Sequence, residues 1–591
     1  MATDLNMLLR RAEAAFAGGD YPAARSGLQF LIRAAGEQVP LLHLLALSEQ
    51  RLGQTAEAAA AFRRALALAP REAGLHHDFA HLLSDGGAFA EAIEHYTTAL
   101  RLRPGWPDAI RSLAATLQQA GREADGLALL DELIRRHPQD AIARTSRGRF
   151  LLAAGNAAAA ARDFDAALEI DPNRPLALKG SAKAALEQGE SDATTRYRRA
   201  LALAPDDREL RLGLAEALEA EGDPDGSRLL AEAVKHQPDW VEGHQILARM
   251  RMEQGRPEEL DASYREALAG RPADRALHLS RAAVLASAER YEDALSAIRD
   301  AQRAIGRDPD TMLREASYAA EAGADVAATQ IFSQLAGHRP ARIPHARHLL
   351  RTGDPEQARL LLESVITEEV GNIAAWALLG LAWRVVGDPR HDWLSLQPQL
   401  WAARDLPIAP DEVERLARLL RTLHRTMAHP LGQSLRGGTQ TRGRLFLRSE
   451  PELAAIRGLI EAAVLRHVAE LPAADTRHPL LRLRDRPFVL AGSWSVRLTG
   501  GGFHVSHIHP EGALSSALYI VLPEEVAKDP AQSGWLEIGR PPAGLNLDLP
   551  ALATIEPKPG RLALFPSYMF HGTRPFSEGE RLTIAFDVTT K

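Results

Sequence analysis

The sequence predicts a multidomain fold: a long all-α repeat array followed by a smaller β-rich domain with supporting helices. Three observations carry that reading. Prolines and glycines recur on a 34-residue beat through the first 390 residues. From about residue 487, β-branched and aromatic runs replace alanine- and leucine-rich helical patterns. Inside that last region, His507-Ile508-His509, His571 and Arg581-Leu582-Thr583 gather metal-ligating and anion-binding side chains. At 591 residues the chain is long enough for both parts. A hydrophobic fraction of 46% and a charged fraction of 25% describe an ordinary folded protein.

The repeats are read from punctuation. Pro70, Pro104, Pro138, Pro172, Pro205, Pro238 and Pro272 stand at intervals of 34, 34, 34, 33, 33 and 34. Gly19, Gly53, Gly87, Gly121, Gly155, Gly189, Gly222 and Gly255 keep the same beat. Ala58, Phe62 and Ala65 before Pro70 are spaced to share one helical face, as are Ala92, Tyr96 and Ala99 before Pro104. Proline ends the second helix of each pair, and glycine ends the first. A helical period of this length resembles the tetratricopeptide repeats. The resemblance runs over residues 5–275 and continues in looser form to about 390 through Gly323, Gly353 and Gly387. It implies a superhelical solenoid whose concave surface takes a protein or peptide, with self-association as the other use of such a surface.

The beat stops after Gly387-Asp388-Pro389. The expected domains are therefore a solenoid at 1–390, a linker with supporting helices at 391–486, and a sheet domain at 487–591. Leucines and valines at helical spacing predict helices at about 411–427 and 450–469. The glycine-rich stretch from Arg436 to Thr441 reads as a lid, a substrate edge or a plain connecting loop. Gly500-Gly501-Gly502 reads as a hairpin turn between strands.

The chemistry lies near the C-terminal end. Residues i and i+2 of a strand point the same way, so His507 and His509 can project into one cavity. His571, from a distant strand, can complete one face of a metal's coordination sphere. Arg581 and Thr583 share a face of the strand that follows and form a clamp for a carboxylate. By the same alternation His504 should point away from His507 and His509. His76-His77, on a helical repeat, reads as structural or solvated.

This constellation resembles the Fe(II)- and 2-oxoglutarate-dependent oxygenases of the prolyl-hydroxylase type. Trp494-Ser495-Val496-Arg497, His507-Ile508-His509-Pro510, Leu518-Tyr519-Ile520, Pro559-Gly560-Arg561-Leu562, Phe565-Pro566-Ser567 and the last strand stand in that family's order. The resemblance covers residues 485–591, and the run from His429 to Thr441 resembles the lead-in of a bacterial subgroup with attached repeats. It implies a double-stranded β-helix (jelly-roll) fold, Fe(II) on the histidines, and 2-oxoglutarate held by Arg581 and Thr583. Tyr519 either assists that carboxylate or is a core aromatic, and Trp494 reads as core. The family's ligand set is two histidines and one carboxylate. Here either His507, His509 and His571 bind the metal, or the register moves and Glu511 joins His509 and His571. Losing the carboxylate leaves zinc or an inactive site as alternatives. The implied activity is hydroxylation of a protein or peptide recruited by the repeats. The rivals are an adaptor with a silent oxygenase-like domain and a small-molecule oxygenase.

Composition narrows the rest. A net charge of −7 argues against general nucleic-acid binding. Zero cysteines exclude disulfides and thiolate ligands. Neither a signal peptide nor a membrane-spanning run is visible, so the expected location is cytoplasmic. No Walker-type loop or His-Glu-x-x-His motif is present.

Overall fold

A computed structural model of the chain describes residues 2–442, 444–527 and 529–590. The chain divides into two compact units, Met1–Ala185 and Leu186–Lys591. The first consists of paired helices, beginning with Ala2–Ala17 and Tyr21–Ala35, then Val39–Arg51 and Thr55–Leu68. Ala58, Phe62 and Ala65 are wholly buried, as their spacing predicts. Each pair turns on a glycine with positive φ, as at Gly53 (73°) and Gly87 (77°), a left-handed conformation that other residues rarely adopt.

The second unit continues the pairs and adds the β-rich region. Arg208–Ala220, Val241–Glu253, Arg275–Ser287 and Pro309–Glu321 are first helices of successive repeats, and the last long repeat helix is Ile373–Val386. Nine strands follow among the described residues. They are β1 (Ala402–Asp405), β2 (Leu435–Gln440), β3 (Phe488–His504), β4 (Leu514–Val521), β5 (Leu536–Ile538), β6 (Ala553–Ile555), β7 (Arg561–Pro566), β8 (His571–Thr573) and β9 (Arg581–Thr590). A six-stranded sheet runs β1-β7-β4-β9-β3-β2 and a three-stranded sheet runs β6-β5-β8, with antiparallel pairing throughout. Leu514, Leu562, Ile584 and Phe586 of the larger sheet share one core with Leu536 and Ile538 of the smaller. The arrangement is consistent with a jelly roll.

The expected helices are Pro410–Leu423 and Pro451–Glu470, and the second buries Leu453, Ile456 and Ile460 in the same core. Two elements differ from expectation. The Arg436–Thr441 stretch is neither lid nor loop: Leu435–Gln440 is edge strand β2, so the sheet draws on residues before 487. Gly500–Gly502 make no hairpin. They form a bulge within β3, where Gly437 alone spans the gap between Leu498 and Phe503. Glycine allows this crowding, since a Cβ on Gly437 would lie 3.0 Å from Gly502 Cα. No helix among the described residues is long and apolar enough to cross a membrane.

Candidate metal centre

The regular part of β3 ends at His504, and the chain then crosses toward β8. His507 and His571 exchange two backbone hydrogen bonds of 3.0 Å, forming a single antiparallel bridge that sets their side chains together. His509 N–H donates to Ser567 O at 3.2 Å. His507 and His509 thus share a cavity through one bridge and a bend rather than through a regular strand. Because alternation lapses after His504, that residue does not point away. It lines the same cavity and lies 3.0 Å from Ser434 Oγ through Nδ1.

One ligand atom from each of His507, His509 and His571 lies within 4.8 Å of the others. Each ring is fixed from behind. His507 Nδ1 meets Val505 O at 2.8 Å, His571 Nδ1 meets Met569 O at 3.0 Å, and His509 Nδ1 meets Asp587 Oδ1 at 2.5 Å. Carbonyl and carboxylate oxygens accept only, so each Nδ1 donates and each Nε2 presents a lone pair. The Nε2 atoms of His507 and His509 stand 3.1 Å apart. If both rings are neutral with Nδ1 protonated, two lone pairs face each other there, an arrangement that a bound cation would relieve. A proton on His507 or His571 is disfavoured: burial, followed by neighbouring His509, pushes His507 down to about 3, and burial holds His571 well below the usual histidine range. The donor set therefore fits a metal ion bound by neutral imidazoles.

The other end of the cavity offers a buried cation. Arg581 is 2% exposed, and its Nη1 donates to Gly534 O at 2.7 Å. Among the described residues no carboxylate pairs with it, and its Nε has no partner. Burial depresses its pKa, yet a guanidinium stays charged. Its guanidinium carbon sits 5.1 Å from the centre of the Tyr519 ring. Tyr519 is wholly buried with an unpartnered hydroxyl. Thr583 stands directly opposite Tyr519 in the β4–β9 pairing, so Arg581, Thr583 and Tyr519 occupy one face. An unpaired buried cation with hydroxyls beside it fits the carboxylate of a small acid.

Several cavity residues went unread in the sequence. Asp587 shares the inward face of β9 with Arg581, Thr583 and Ala585, and two-residue alternation from Arg581 could have found it. Trp494 is not simply core: it lines the cavity and stacks on His509 with centroids 5.9 Å apart. Glu511 is exposed at the rim and stands outside the three-histidine group. The cavity holds about 650 Å³ and is also lined by Met252, Ser287, Glu289 and Tyr291 from the repeats. The lead-in to β2 lies across those repeats. Met427 N–H donates to Glu253 O at 2.8 Å, and 34 residues further along the array Ser287 O accepts from Gly432 N–H at 2.9 Å. These carbonyls belong to the last turns of repeat helices, which lack helical partners. Arg442 pairs with Glu216 and Glu219, which also meet Arg249.

Known families match both parts of the chain, tetratricopeptide repeats in the helical array and a family of the 2-oxoglutarate oxygenase type at the C-terminal end. The tetratricopeptide-repeat family matches residues 43–107, 111–175 and 180–240. The family described as "Putative 2OG-Fe(II) oxygenase" matches residues 492–587. Protein FlbA of Caulobacter vibrioides is 28% identical over 154 residues, which are 26% of this chain and 25% of FlbA. Cellulose synthase 2 operon protein C of Komagataeibacter xylinus is 32% identical over 161 residues, 27% of this chain and 12% of that protein. The chain thus spans a quarter or less of the length of these relatives. Among solved structures, yeast Tom70 is similar with a TM-score of 0.32 and 12% identity, covering 66% of this chain and 97% of that one. The type IV pilus biogenesis factor PilW gives 0.32 and 20%, covering 35% and 96%.

Proposed function

We propose that this chain is an Fe(II)- and 2-oxoglutarate-dependent dioxygenase that hydroxylates a protein or peptide recruited by its repeats. The observation that carries the reading is the convergence of three histidine Nε2 atoms in one cavity with a buried, carboxylate-free arginine. His507, His509 and His571 would hold the metal, and Arg581 with Thr583 and Tyr519 would take the distal carboxylate of 2-oxoglutarate. When bound, iron and 2-oxoglutarate supply the oxidising power, the co-substrate leaving as succinate and carbon dioxide.

The chain's own residues position the rings. The Asp587 carboxylate holds His509 Nδ1–H and so keeps Nε2 free for a metal. The carbonyls of Val505 and Met569 do the same for His507 and His571. The Trp494 ring lies nearly parallel to His509, with centroids 5.9 Å apart, and limits the positions that ring can take. The all-histidine ligand set favours one second reading, a metal-binding domain without turnover, because the family's carboxylate ligand is missing. Succinate formation from 2-oxoglutarate separates the two. Turnover by the wild type and not by His571→Ala supports the dioxygenase, and bound iron with no turnover in the presence of candidate peptides favours the silent domain.

A further inference from the structure

In the second unit the repeat turns end on positive-φ glycines at 222, 255, 323 and 353. Position 289 lies 34 residues from both Gly255 and Gly323, and there the array carries Glu289. Its backbone keeps the left-handed turn at φ 59°. A side chain is strained in that conformation, so the residue is held against its local preference. The strain has a destination. The Glu289 carboxylate pairs with Arg436 of β2, whose guanidinium also donates to Gln433 O and Leu435 O at 2.8 Å each. Two residues before Glu289, Ser287 O accepts from Gly432 N–H. Between those two ties stands Ser434, whose Oγ lies 3.2 Å from His507 Nε2.

An exposed ion pair adds little to stability, so stability alone does not account for a glutamate in a glycine position. We propose that Glu289 is a positioning residue, fastening the repeat turn 286–291 to the lead-in of β2 so that the repeats form a fixed wall of the oxygenase cavity. Substrate then reaches the histidines through a slot whose one side belongs to the solenoid. The repeats select by shape at the site itself, beyond any recruitment at a distance. This inference rests on the reading of the cavity as the oxygenase site.

The test compares full-length wild type, Glu289→Gly, Arg436→Glu and the charge-swapped double variant Glu289→Arg/Arg436→Glu. Amide exchange is followed across residues 286–291 and 432–436, with thermal melting and Co(II) binding alongside. Glu289→Gly should exchange faster at 432–436 by up to about fivefold, the upper end of what an exposed ion pair is worth. It should melt no lower than wild type, because glycine is what the other turns hold there, and should bind Co(II) like wild type. Arg436→Glu should exchange faster as well, and the swapped pair should restore protection. Unchanged exchange in Glu289→Gly, no rescue by the swap, or faster exchange throughout the unit with a lower melting temperature would each overturn the proposal. Failure of the oxygenase reading would register separately, as no succinate from wild type, and would leave the exchange comparison intact.

Discussion

At the scale of single residues, the centre depends on what stands behind its histidines. Asp587 is the one carboxylate among the described partners of the three rings, and it acts through His509 rather than on the metal. Asp587→Asn keeps the shape and removes the charge. Its Co(II) affinity should fall by roughly 10- to 100-fold in a titration, the range for losing such a partner. Arg581 makes the opposite kind of prediction. A buried cation without an anion costs stability until a ligand arrives. Arg581→Met should therefore melt no lower than wild type, and higher if the loss of its bond to Gly534 O is small. Added 2-oxoglutarate at a hundred times its dissociation constant should stabilise wild type by about 2.7 kcal/mol. The same addition should leave Arg581→Met unmoved, and a ligand-induced shift in that variant would contradict the clamp.

At the scale of elements, buried and half-buried histidines join helices and loops to the β-rich core. His424 follows helix Pro410–Leu423 and meets Thr439 Oγ1 and Ser495 Oγ at 2.8 and 3.0 Å. His467 lies on Pro451–Glu470, and His478 meets Leu394 O at 3.2 Å. Burial pushes all three down to about 4. Their folded values lie below the usual 6.5, so the unfolded chain binds protons first as pH falls. Stability from these groups is complete above pH 6.5, declines through the interval, and is lost near pH 4. Urea midpoints measured at pH 7 and 4.5 should show this loss, and a higher midpoint at 4.5 would contradict it.

The same scale shows what the sequence made legible. Both supporting helices could be read because leucines and isoleucines repeat at helical spacing on one buried face. Strand β2 could not, since Leu435-Arg436-Gly437-Gly438-Thr439-Gln440 has little of the β-branched alternation that marks a strand. Its strand character comes from β3 beside it. The three histidines were legible from family resemblance, whereas the strand alternation invoked for His507 and His509 is not what brings them together. His504 was misread because that spacing assumes a strand that ends at His504 itself.

At the scale of the second unit, the repeats and the β-rich region are bound through ion pairs as well as backbone bonds. Arg442 and Arg249 share Glu216 and Glu219, and burial pushes Glu219 up from the usual carboxylate range. Arg442→Ala leaves that buried carboxylate short of one partner. Denaturant unfolding should show this unit destabilised by roughly 2 kcal/mol, below the roughly 3–5 kcal/mol for breaking a fully buried pair because Arg249 still meets Glu219. No change would mean that the pair is solvated in solution. The solenoid period was legible from prolines and glycines alone. That its turns would line the cavity was not, because neither Glu253 nor Ser287 carries a signal of what its carbonyl meets.

Whether His507, His509 and His571 form one metal site is read by anaerobic Fe(II) titration. Wild type should bind one equivalent per chain, and His507→Ala and His571→Ala should each lose that site while Glu511→Ala keeps it. Absence of binding in wild type, or full binding retained by His571→Ala, would rule out a three-histidine site.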